Sequence, residues 1–435
     1  MTDPHEANHI NGYDSLEPPG DDFFRTYFRY IGHTEAPKTY HRWAIISTVA
    51  ALLGRQFYLP FGHSRIYPNM YVWLVGAPGA RKGTALGPIK NLLYAIKYGK
   101  LSPQRLSPEM FLAQLQKMAL PQNLSILEDL EIDSMPMQSP CEMFVVADEI
   151  ADFIRGNTDF CKVLCNLWDN LPYYDHPKLH GKSVYVHEPT VNWTGGITPE
   201  DIMLSVPPEA VGQGLFSRVI LVHSEPTGIK IRIPSSPSEE ATNDMIALMK
   251  KVMTVKGEAT ITEAAGLQLD AIYDRFPGID SSQFRHYNSR RFTHLLKLAL
   301  VLAATDTTTV IGEDHILKAN TILTSTEYRM PKALGEFGRA KHAGVAHAIL
   351  ECLKSNGKPV SVRDLWKLTV NDLNRHEDLL EILNNLKLAE KIQQVRFKEA
   401  GKDMVGFLPK YKSSSNWQEG LLWTGKDFLF PEEML

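Results

Sequence analysis

Short apolar runs alternate with helical stretches along the first half of the chain. Residues 70–75 and 143–147 are continuous apolar runs, and such runs are typical of strands that are buried on both faces. Two further strand candidates occupy residues 190–194 and 218–222. Because helical stretches separate the four runs, the pattern predicts an α/β core with a mostly parallel sheet.

Helical periodicity predominates on both sides of this core. Phe23, Tyr27 and Ile31 recur every four residues near the N-terminus, which predicts a helical region there. After a proline- and serine-rich linker at 234–237, helices are predicted at 292–304 and 313–325. The predicted divisions are a disordered segment (1–20), a helical N-terminal region (21–62), the α/β core (63–230), a helical lid (231–335), a winged helix (340–412) and an acidic, aromatic tail (413–435).

The winged helix is predicted from the order of elements in the C-terminal third. Helical patterns begin near residues 344, 362 and 377, and two apolar segments then flank Gly401. Three helices followed by a two-stranded hairpin is the order of a winged helix. The tail beyond it carries Trp417, Trp423 and Phe430 among acidic residues. We expect this tail to dock on a partner protein, and folding back onto the core is the alternative.

Composition narrows the class of protein. At 435 residues the chain exceeds one hydrophobic core, and its 43% hydrophobic and 22% charged residues are ordinary for globular proteins. No apolar run approaches the roughly 18 residues of a membrane span, and the polar N-terminus lacks a secretory signal. With four cysteines and no disulfide framework, the expected location is the cytoplasm. Residues 281–412 hold 21 Lys and Arg against 14 Asp and Glu, which suits either nucleic acid or a soluble surface.

The densest chemical signal follows the first predicted strand and opens a predicted helix, which is the context of a phosphate-binding loop. Glycines there let backbone N–H groups converge on phosphate oxygens, and a lysine neutralises the β- and γ-phosphates. The pattern predicts a nucleoside-triphosphate site, and a plain turn with an exposed Arg-Lys pair is the alternative. The predicted binding residues are Gly76, Gly79, Arg81, Lys82, Gly83 and Thr84.

The loop departs from the standard pattern at two positions. Arg81 stands where the pattern has glycine, and Gly83 stands where it has the Ser or Thr that ligates Mg²⁺. Thr84 comes one residue later, and one residue rotates a side chain by about 100° around a helix. We expect Arg81 to add charge near the phosphates, and Thr84 is the candidate Mg²⁺ ligand of the loop.

Two carboxylates end the second apolar run. Asp148 and Glu149 follow it directly, at the edge of the sheet where α/β folds bind ligands. Asp148 is predicted to hold Mg²⁺ through water, and Glu149 to polarise the attacking water. A helix N-cap is the alternative function of such a pair. Together with Lys82, the two carboxylates favour binding of ATP with Mg²⁺.

The order of these motifs resembles the AAA+ ATPases, and among them the MCM-like ring helicases. The loop variant RKGT at 81–84, with Pro68 and Asn69 before its strand, also resembles phage and plasmid P-loop proteins associated with helicases or primases. The resemblance covers residues 65–410, and either an AAA+ or a RecA-like sheet suits it. It implies a ring, expected to be a hexamer, that hydrolyses ATP while translocating on single-stranded DNA during phage or mobile-element replication.

The resemblance also implies functions for polar residues outside these motifs. Thr194, at the end of the third predicted strand, corresponds to the family's sensor. Arg218, just before the last strand, corresponds to an arginine finger that reaches the neighbouring subunit's site, with a plain ion pair as the alternative. Arg290 or Arg291, ahead of the lid helix, corresponds to a second arginine at the nucleotide.

A basic segment precedes the third predicted strand. Lys178, His180 and Lys182 alternate around Gly181, which suggests the tip of a hairpin. MCM-like helicases carry a basic hairpin in this interval, so the resemblance implies that these side chains grip DNA phosphates in a central channel. A solvated surface hairpin is the alternative.

Other classes of function stay open at this point. One is an ATP-switched DNA-binding initiator or regulator that separates no strands, and another is a structural ATP-binding subunit with little turnover. Cys161 and Cys165, four residues apart, are predicted to be buried helical cysteines rather than zinc ligands. The tail resembles the partner-docking tails of phage replication helicases and single-strand binding proteins.

Overall fold

The computed structural model describes most of the chain in two compact units. The first unit comprises Met1–Gly335 with Gln418–Leu435, and the second comprises Glu336–Trp417. The predicted disordered segment at 1–20 lies outside the described part. The described residues are 22–103, 106–119, 139–176, 184–207, 214–279, 284–334, 343–370, 372–373, 375–388, 391–399, 402–409 and 417–423.

The first unit mixes helices and strands. Its helices are α1 (Phe23–Ile31), α2 (Lys38–Leu53), α3 (Lys82–Ala95), α4 (Pro108–Lys117), α5 (Ala151–Ile154), α6 (Thr158–Trp168), α7 (Pro199–Ser205), α8 (Leu215–Arg218), α9 (Glu239–Val252), α10 (Glu263–Arg275), α11 (Arg285–Asn288), α12 (Arg291–Thr305) and α13 (Glu313–Ala333). Its strands are β1 (Phe57–Phe61), β2 (Ser64–Ile66), β3 (Tyr71–Val75), β4 (Glu142–Ala147), β5 (Tyr173–His176), β6 (Val184–His187), β7 (Thr190–Ile197), β8 (Val219–His223), β9 (Gly257–Glu258), β10 (Thr260–Ile261) and β11 (Val310–Ile311).

Four parallel strands in the order β4-β7-β3-β8 form the central sheet. Tyr71 of β3 pairs with Trp193 of β7 on one side and with Val219 of β8 on the other. All residues of β3, β7 and β8 are buried, because their sequences present no continuous polar face to water. The predicted α/β fold with a parallel sheet is therefore confirmed.

The strand order decides which loops meet. β3 precedes the glycine-rich loop, β4 precedes Asp148, and β7 lies between these two strands. The carboxyl ends of parallel strands share one edge, so the loop, the carboxylates and the end of β7 converge there.

The N-terminal region packs against this sheet. Asp22 caps α1 by accepting a hydrogen bond from the Phe24 N–H at 3.0 Å, and α2 is buried from Tyr40 to its end and contacts β3 and β7. The region predicted to be helical over 21–62 is helical only as far as Leu53. From Phe57 the chain forms the antiparallel hairpin β1-β2, in which Phe57 and Leu59 are buried and Pro60 and Phe61 are exposed.

The helices α9 to α13 occupy the region predicted as a lid. The short parallel pairing β1-β9 connects it to the N-terminal region, and the pairing β10-β11 lies within it. α12 is buried along most of its length and packs on α13, and its buried polar side chains Arg291, His294 and Lys297 each have a hydrogen-bond partner. Among the described helices, not one has the length and apolar character needed to cross a membrane.

The second unit has its own small core. Its elements are α14 (Ala343–Asn356), β12 (Val360–Ser361), α15 (Val362–Thr369), α16 (His376–Leu388), β13 (Ile392–Glu399) and β14 (Lys402–Pro409). The strands form an antiparallel sheet in the order β12-β14-β13. Ile349, Leu365, Leu379 and Phe407 are among its buried residues. Three helices and a following hairpin are present, with β12 between the first two helices, and the winged helix stays a prediction.

Candidate functional site

The loop between β3 and α3 is built around two glycines. A Cβ atom on Gly76 would lie 2.4 Å from the Tyr40 hydroxyl and 2.9 Å from the Ser224 carbonyl oxygen, so no side chain fits there. Tyr40 donates to that carbonyl at 3.0 Å and to the Val75 carbonyl at 2.7 Å, which fixes the end of β3 against the end of β8. Gly79 has φ +83°, a left-handed conformation that favours glycine. The two glycines therefore fix the path of the backbone between the end of β3 and the start of α3.

Arg81 adopts the left-handed conformation as well, with φ 61° and ψ 30°, directly before α3. This geometry explains why the standard loop pattern has glycine at this position. The guanidinium pairs with the Glu35 carboxylate at 2.5 Å and is half exposed. Arg81 thus has an internal partner that the sequence did not reveal, and its predicted contact with phosphates stays a prediction.

Lys82 begins α3 and turns its ammonium group back into the loop. Its Nζ donates to the carbonyl oxygens of Gly76 at 2.7 Å and Ala77 at 3.2 Å. Burial lowers the pKa of Lys82, while the nearby carboxylates of Glu149 and Asp201 oppose that effect. Two neutral carbonyls are weaker partners for an ammonium ion than a phosphate. The lysine is therefore placed to exchange them for an anion in the loop.

Asp148 and Glu149 follow β4, as predicted, and lie on the same edge as Lys82. Burial raises the pKa of Glu149, and the carboxylates of Asp201, Asp152 and Asp148 raise it further, while Lys82 lowers it. A carboxylate with a raised pKa beside a lysine is a candidate general base.

Gly196 of β7 is the point where the start of α3 and the backbone of Asp148 approach each other. A Cβ atom there would lie 2.8 Å from the Asp148 carbonyl oxygen and 3.2 Å from the Lys82 Cβ. The Gly196 carbonyl accepts the Ile150 N–H at 2.9 Å, which ties the chain after Glu149 to β7. Only glycine lets these two segments approach so closely, and the glycine pair 195–196 was the available sequence signal.

The residues beside Asp148 do not form a conventional Mg²⁺ site. Both Asp148 carboxylate oxygens accept hydrogen bonds from the Lys90 ammonium, each at 2.8 Å. Thr84 is exposed on α3, and none of the hydrogen bonds found in the described part of the chain joins it to Asp148. A Cβ atom on Gly83, by contrast, would lie 3.8 Å from Asp148 Oδ1. Gly83, which has no hydroxyl, therefore faces Asp148. Thr84 is one residue further along the helix, and the rotation of about 100° per residue turns it away.

The prediction that Thr194 ends its strand is wrong. β7 continues through Gly195 and Gly196 to Ile197, because the two glycines extend the strand rather than turn it. Thr194 is fully buried within the strand and donates to the Ser47 hydroxyl at 2.6 Å. The polar residue that follows the strand is Thr198, whose hydroxyl caps α7.

Arg218 and Arg290 lie together at the opposite edge of the sheet. Arg218 immediately precedes β8 and pairs with Asp169 at 2.5 Å, while Arg290 pairs with the other oxygen of that carboxylate at 2.8 Å. Both guanidiniums also lie within 6 Å of the Trp168 ring centre, at 5.9 and 5.4 Å. A strand of five residues separates this edge from the loop by about 16 Å. Neither arginine is therefore beside Lys82 of its own chain.

Arg291, the other of the two arginines predicted at the nucleotide, faces the interior of the lid rather than the sheet edge. Its guanidinium is buried in the lid, where Nε donates to both Glu327 carboxylate oxygens at 2.9 and 3.0 Å. Another nitrogen donates to Asn320 Oδ1 at 2.8 Å, and the Tyr287 hydroxyl donates to Glu327 at 2.9 Å. Arg291 joins α12 to α13 because the helical register points it inward, whereas Arg290, one residue earlier, points outward.

An antiparallel hairpin occupies the interval predicted to hold a basic one. β5 pairs with β6, with His176 opposite Val184. Tyr173 and Tyr185 are exposed on one face of the hairpin, at 63% and 49% of their surface, and Val186 is buried on the other. The predicted tip residues Lys178, His180 and Lys182 lie outside the described residues.

Cys161 and Cys165 are buried in α6, as predicted. Burial raises the pKa of Cys161 to about 12 and raises that of Cys165, so both thiols stay protonated and unreactive at neutral pH. Within the described ranges, no three His, Cys, Asp or Glu side chains converge as a metal cluster.

The described part of the tail that belongs to the first unit, residues 418–423, folds back on α13. Asn320 donates to the Leu421 carbonyl at 2.8 Å, and the Trp423 N–H donates to the Thr321 hydroxyl at 2.8 Å. Leu421 is buried, and the Lys318 ammonium lies 4.8 Å from the centre of the Trp423 ring. This is the alternative that the sequence left open for these residues. Residues 424–435 lie outside the described part.

A cavity of about 370 Å³ opens where the tail, α13 and β8 meet. His223, which pairs with Val75 in the sheet, places it next to the end of β3, where the glycine-rich loop begins. Hydroxyl groups of α13, including that of Thr324, and the Arg329 side chain line it, together with Gln418 of the tail. A cavity of this size and polarity accommodates a small ligand.

Sequence reasoning missed the partners of the predicted residues. Lys90, Glu35 and Asp169 each pair with a predicted site residue. They come from α3, from the segment before α2 and from the end of α6, so no local motif connects them to the loop. Only the fold brings them into contact.

In comparisons with known proteins, no family model and no curated protein matches this chain. The resemblance to ring ATPases therefore depends on the motifs and their arrangement alone.

Proposed function

We propose that this protein is an ATP-dependent, ring-forming motor that translocates on single-stranded DNA as a helicase in phage or mobile-element replication. The observation that carries the proposal is the meeting of Lys82 with Asp148 and Glu149 around Gly196. A lysine at a helix start beside two carboxylates is the arrangement that phosphoryl transfer to water needs.

ATP binding would use the loop and the neighbouring cavity. The first N–H groups of α3 have no partner within the helix and point toward the loop. Lys82 would give up the carbonyls of Gly76 and Ala77 for phosphate oxygens, and Arg81 would exchange the Glu35 carboxylate for a phosphate oxygen. The cavity of about 370 Å³ beside His223 is large enough for the nucleoside.

Hydrolysis would depend on Glu149. The bound nucleotide supplies the phosphoryl group, and Glu149 would orient a water molecule for in-line attack and accept its proton. The raised pKa of this carboxyl makes it a stronger base than an exposed glutamate. Lys82, at the same edge, would stabilise the negative charge that develops on the phosphate.

The ring is supported by the separation of the two edges. Arg218 and Arg290 are too far from Lys82 of their own chain to contact the same phosphate, but head-to-tail packing of subunits can bring opposite edges together. Asp169 holds both guanidiniums in place. In the proposed ring these arginines would complete the neighbouring subunit's site, an AAA+ arrangement.

DNA contacts would come from the β5-β6 hairpin and from the second unit. Tyr173 and Tyr185 offer exposed rings on which bases can stack, and the segment between their strands contains Lys178 and Lys182. The hairpin β13-β14 after three helices suits the wing of a winged helix. Mg²⁺, if present, would accompany the phosphates of ATP.

An ATP-switched initiator without strand separation is the second candidate. The observation that favours it is that Arg218, only 9% exposed, is already paired with Asp169, as in a structural ion pair. In that function ATP would drive assembly, and the second unit would bind a DNA site.

The first experiment is the steady-state ATPase rate of the full chain with and without single-stranded DNA. We expect DNA to stimulate turnover, Lys82→Ala to abolish it, and the exchange of both Lys178 and Lys182 for Ala to remove only the stimulation. Lys162→Ala, an exposed lysine paired within its helix, is the matched control and should behave as the parent.

Other outcomes separate the hypotheses. A rate that DNA does not change, together with ATP-dependent binding to duplex DNA, would support the initiator. Tight ATP binding without turnover in the parent and in Glu149→Gln alike would support a structural subunit.

A further inference from the structure

The contact between Lys90 and Asp148 joins the helix after the loop to the strand that carries the carboxylates. Lys90 lies eight residues after Lys82 on α3, and its side chain is only 18% exposed. Its ammonium contacts both carboxylate oxygens at 2.8 Å. Both oxygens that would hold a cation therefore already have one.

The position of Gly83 gives an independent observation. Its missing side chain would point at Asp148 Oδ1 from 3.8 Å, so a serine here would place a hydroxyl within reach of a metal ion held by Asp148. Glycine supplies no ligand. Thr84, which has the hydroxyl, is exposed elsewhere on the helix surface.

The charges facing Asp148 fit this arrangement. Lys82 lies close enough to Glu149 to lower its pKa, and Asp201 and Asp152 lie close enough to raise it. Asp148, without Lys90, would add an unpaired negative charge to this edge. Lys90 removes that charge without occupying the loop.

We infer that Lys90, rather than a metal ion ligated by the protein, is the resident counter-ion of Asp148, and that the loop binds nucleotide phosphates through its own cations. The inference rests on the proposed ATP site and defines how that site meets the phosphate charge. Lys82 supplies the positive charge, Arg81 adds its own where a phosphate displaces Glu35, and a divalent ion is not required for binding. Without Lys90, the negative charge of Asp148 would repel the phosphates.

The test is calorimetric titration of the full chain with ATP, at constant ionic strength, in Mg²⁺ and in EDTA. We expect the parent affinities in the two buffers to agree within about threefold. Lys90→Met should weaken binding in EDTA by about tenfold, since Asp148 then faces the phosphates uncompensated. Lys162→Met, which removes an exposed lysine from an ion pair within α6, should leave both affinities unchanged.

A second variant tests the role of Gly83. The double change Gly83→Ser with Lys90→Met supplies the hydroxyl and frees Asp148, and we expect it to bind ATP more than tenfold more tightly in Mg²⁺ than in EDTA. Circular dichroism confirms that each variant is folded.

The outcomes separate this inference from the proposed function. Parent binding that is more than tenfold weaker in EDTA, or Lys90→Met binding equal to the parent's, would overturn the assignment of Lys90 and leave the ATP site standing. Absence of ATP binding in both buffers would overturn the proposed function, and the inference with it.

Discussion

The two edges of the central sheet hold their charges in opposite ways. At the carboxyl edge, Lys82 contacts only neutral carbonyls, and Asp148, 54% exposed, has one lysine partner. At the amino edge, Asp169 binds two guanidiniums at once, and Arg218 is nearly buried. Exchangeable partners suit a site that must accept an anion, whereas shared, buried partners suit a site that must keep its shape.

A buried lysine next to the amino edge also has fixed polar partners. Behind the amino edge, the buried Lys297 donates to the Tyr67 carbonyl and to Asn69 Oδ1, and it lies 4.3 Å from the centre of the Trp168 ring. Burial lowers the pKa of Lys297 strongly. The two hydrogen bonds that Lys297 donates favour its ammonium form and oppose this effect. Lys297, Arg218 and Arg290 all contact the Trp168 ring. We interpret these contacts as positioning the two arginines rather than as catalytic.

The largest effect is expected from Glu149→Gln. Turnover should fall by about 10²–10⁴-fold because the general base is lost, while ATP binding persists because Lys82 is intact. Steady-state ATPase and calorimetric titration measure the two quantities. Equal loss of binding and turnover would contradict a catalytic role for Glu149.

The pH dependence of turnover follows from the same carboxyl. Burial raises the pKa of Glu149, so the carboxylate takes up a proton at a higher pH than an exposed glutamate does. Only the ionised form accepts the proton of water, and the parent rate should therefore fall as the pH drops through this raised pKa. An acid limb at the pKa of an ordinary glutamate would contradict that environment.

The next largest effect is expected in the lid. Glu327→Ala leaves the buried Arg291 guanidinium without its carboxylate, which should reduce the free energy of unfolding by about 3–5 kcal/mol. Glu240→Ala, an exposed glutamate on α9, is the control and should stay within about 0.5 kcal/mol of the parent. Lys82→Ala should lose no more than about 1 kcal/mol, because water can replace its neutral partners. Chemical denaturation measures all three, and a large loss in Lys82→Ala would break the contrast between the regions.

Acid should destabilise the amino edge. Burial lowers the pKa of His294 to about 3, and its Nε2 lies 2.9 Å from the Ser217 carbonyl oxygen. The unfolded chain takes up this proton near pH 6.5 and the folded chain does not, so stability is full above pH 6.5 and declines toward pH 3. The slope from this group is about 1.4 kcal/mol per pH unit. His294→Gln should flatten the slope in denaturation measured between pH 6.5 and 4.5, and an unchanged slope would exclude His294 as its source.

The smallest effect concerns the tail. Thr321→Val removes the acceptor of the Trp423 N–H and should weaken the docking of residues 418–423 by about 1 kcal/mol. Hydrogen exchange at the Trp423 amide should then be about fivefold faster. Thr242→Val, whose hydroxyl bonds only within the first turn of its own helix, is the control. Unchanged exchange would show that the contact does not hold the tail.

The sequence predicts features that depend on neighbouring residues, and it does not predict contacts between residues that are far apart in the chain. The continuous apolar runs before Gly76 and Asp148 predict buried strands, because burial on both faces requires them. Thr194 was misplaced since glycines after a strand usually turn the chain, and here they continue it. Arg290 and Arg291 are adjacent in sequence, and only the packing of α12 decides which one is buried.

The candidate site likewise has parts that the sequence predicts and parts that only the fold reveals. The loop and the Asp-Glu pair are local motifs, and the structure brings them together around Gly196. Lys90, Glu35 and Asp169 are partners contributed by distant segments, and their contacts depend on the fold rather than on any spacing in the sequence.

The most direct test of the proposed ring is subunit complementation. Lys82→Ala removes the carboxyl-edge cation and keeps Arg218, whereas Arg218→Ala does the reverse. We expect each variant alone to hydrolyse no ATP. An equimolar mixture should recover about a quarter of the parent rate, because a head-to-tail ring joins an intact loop to an intact arginine at one interface in four. A mixture as inactive as either variant, with both shown to assemble, would contradict a site shared between subunits.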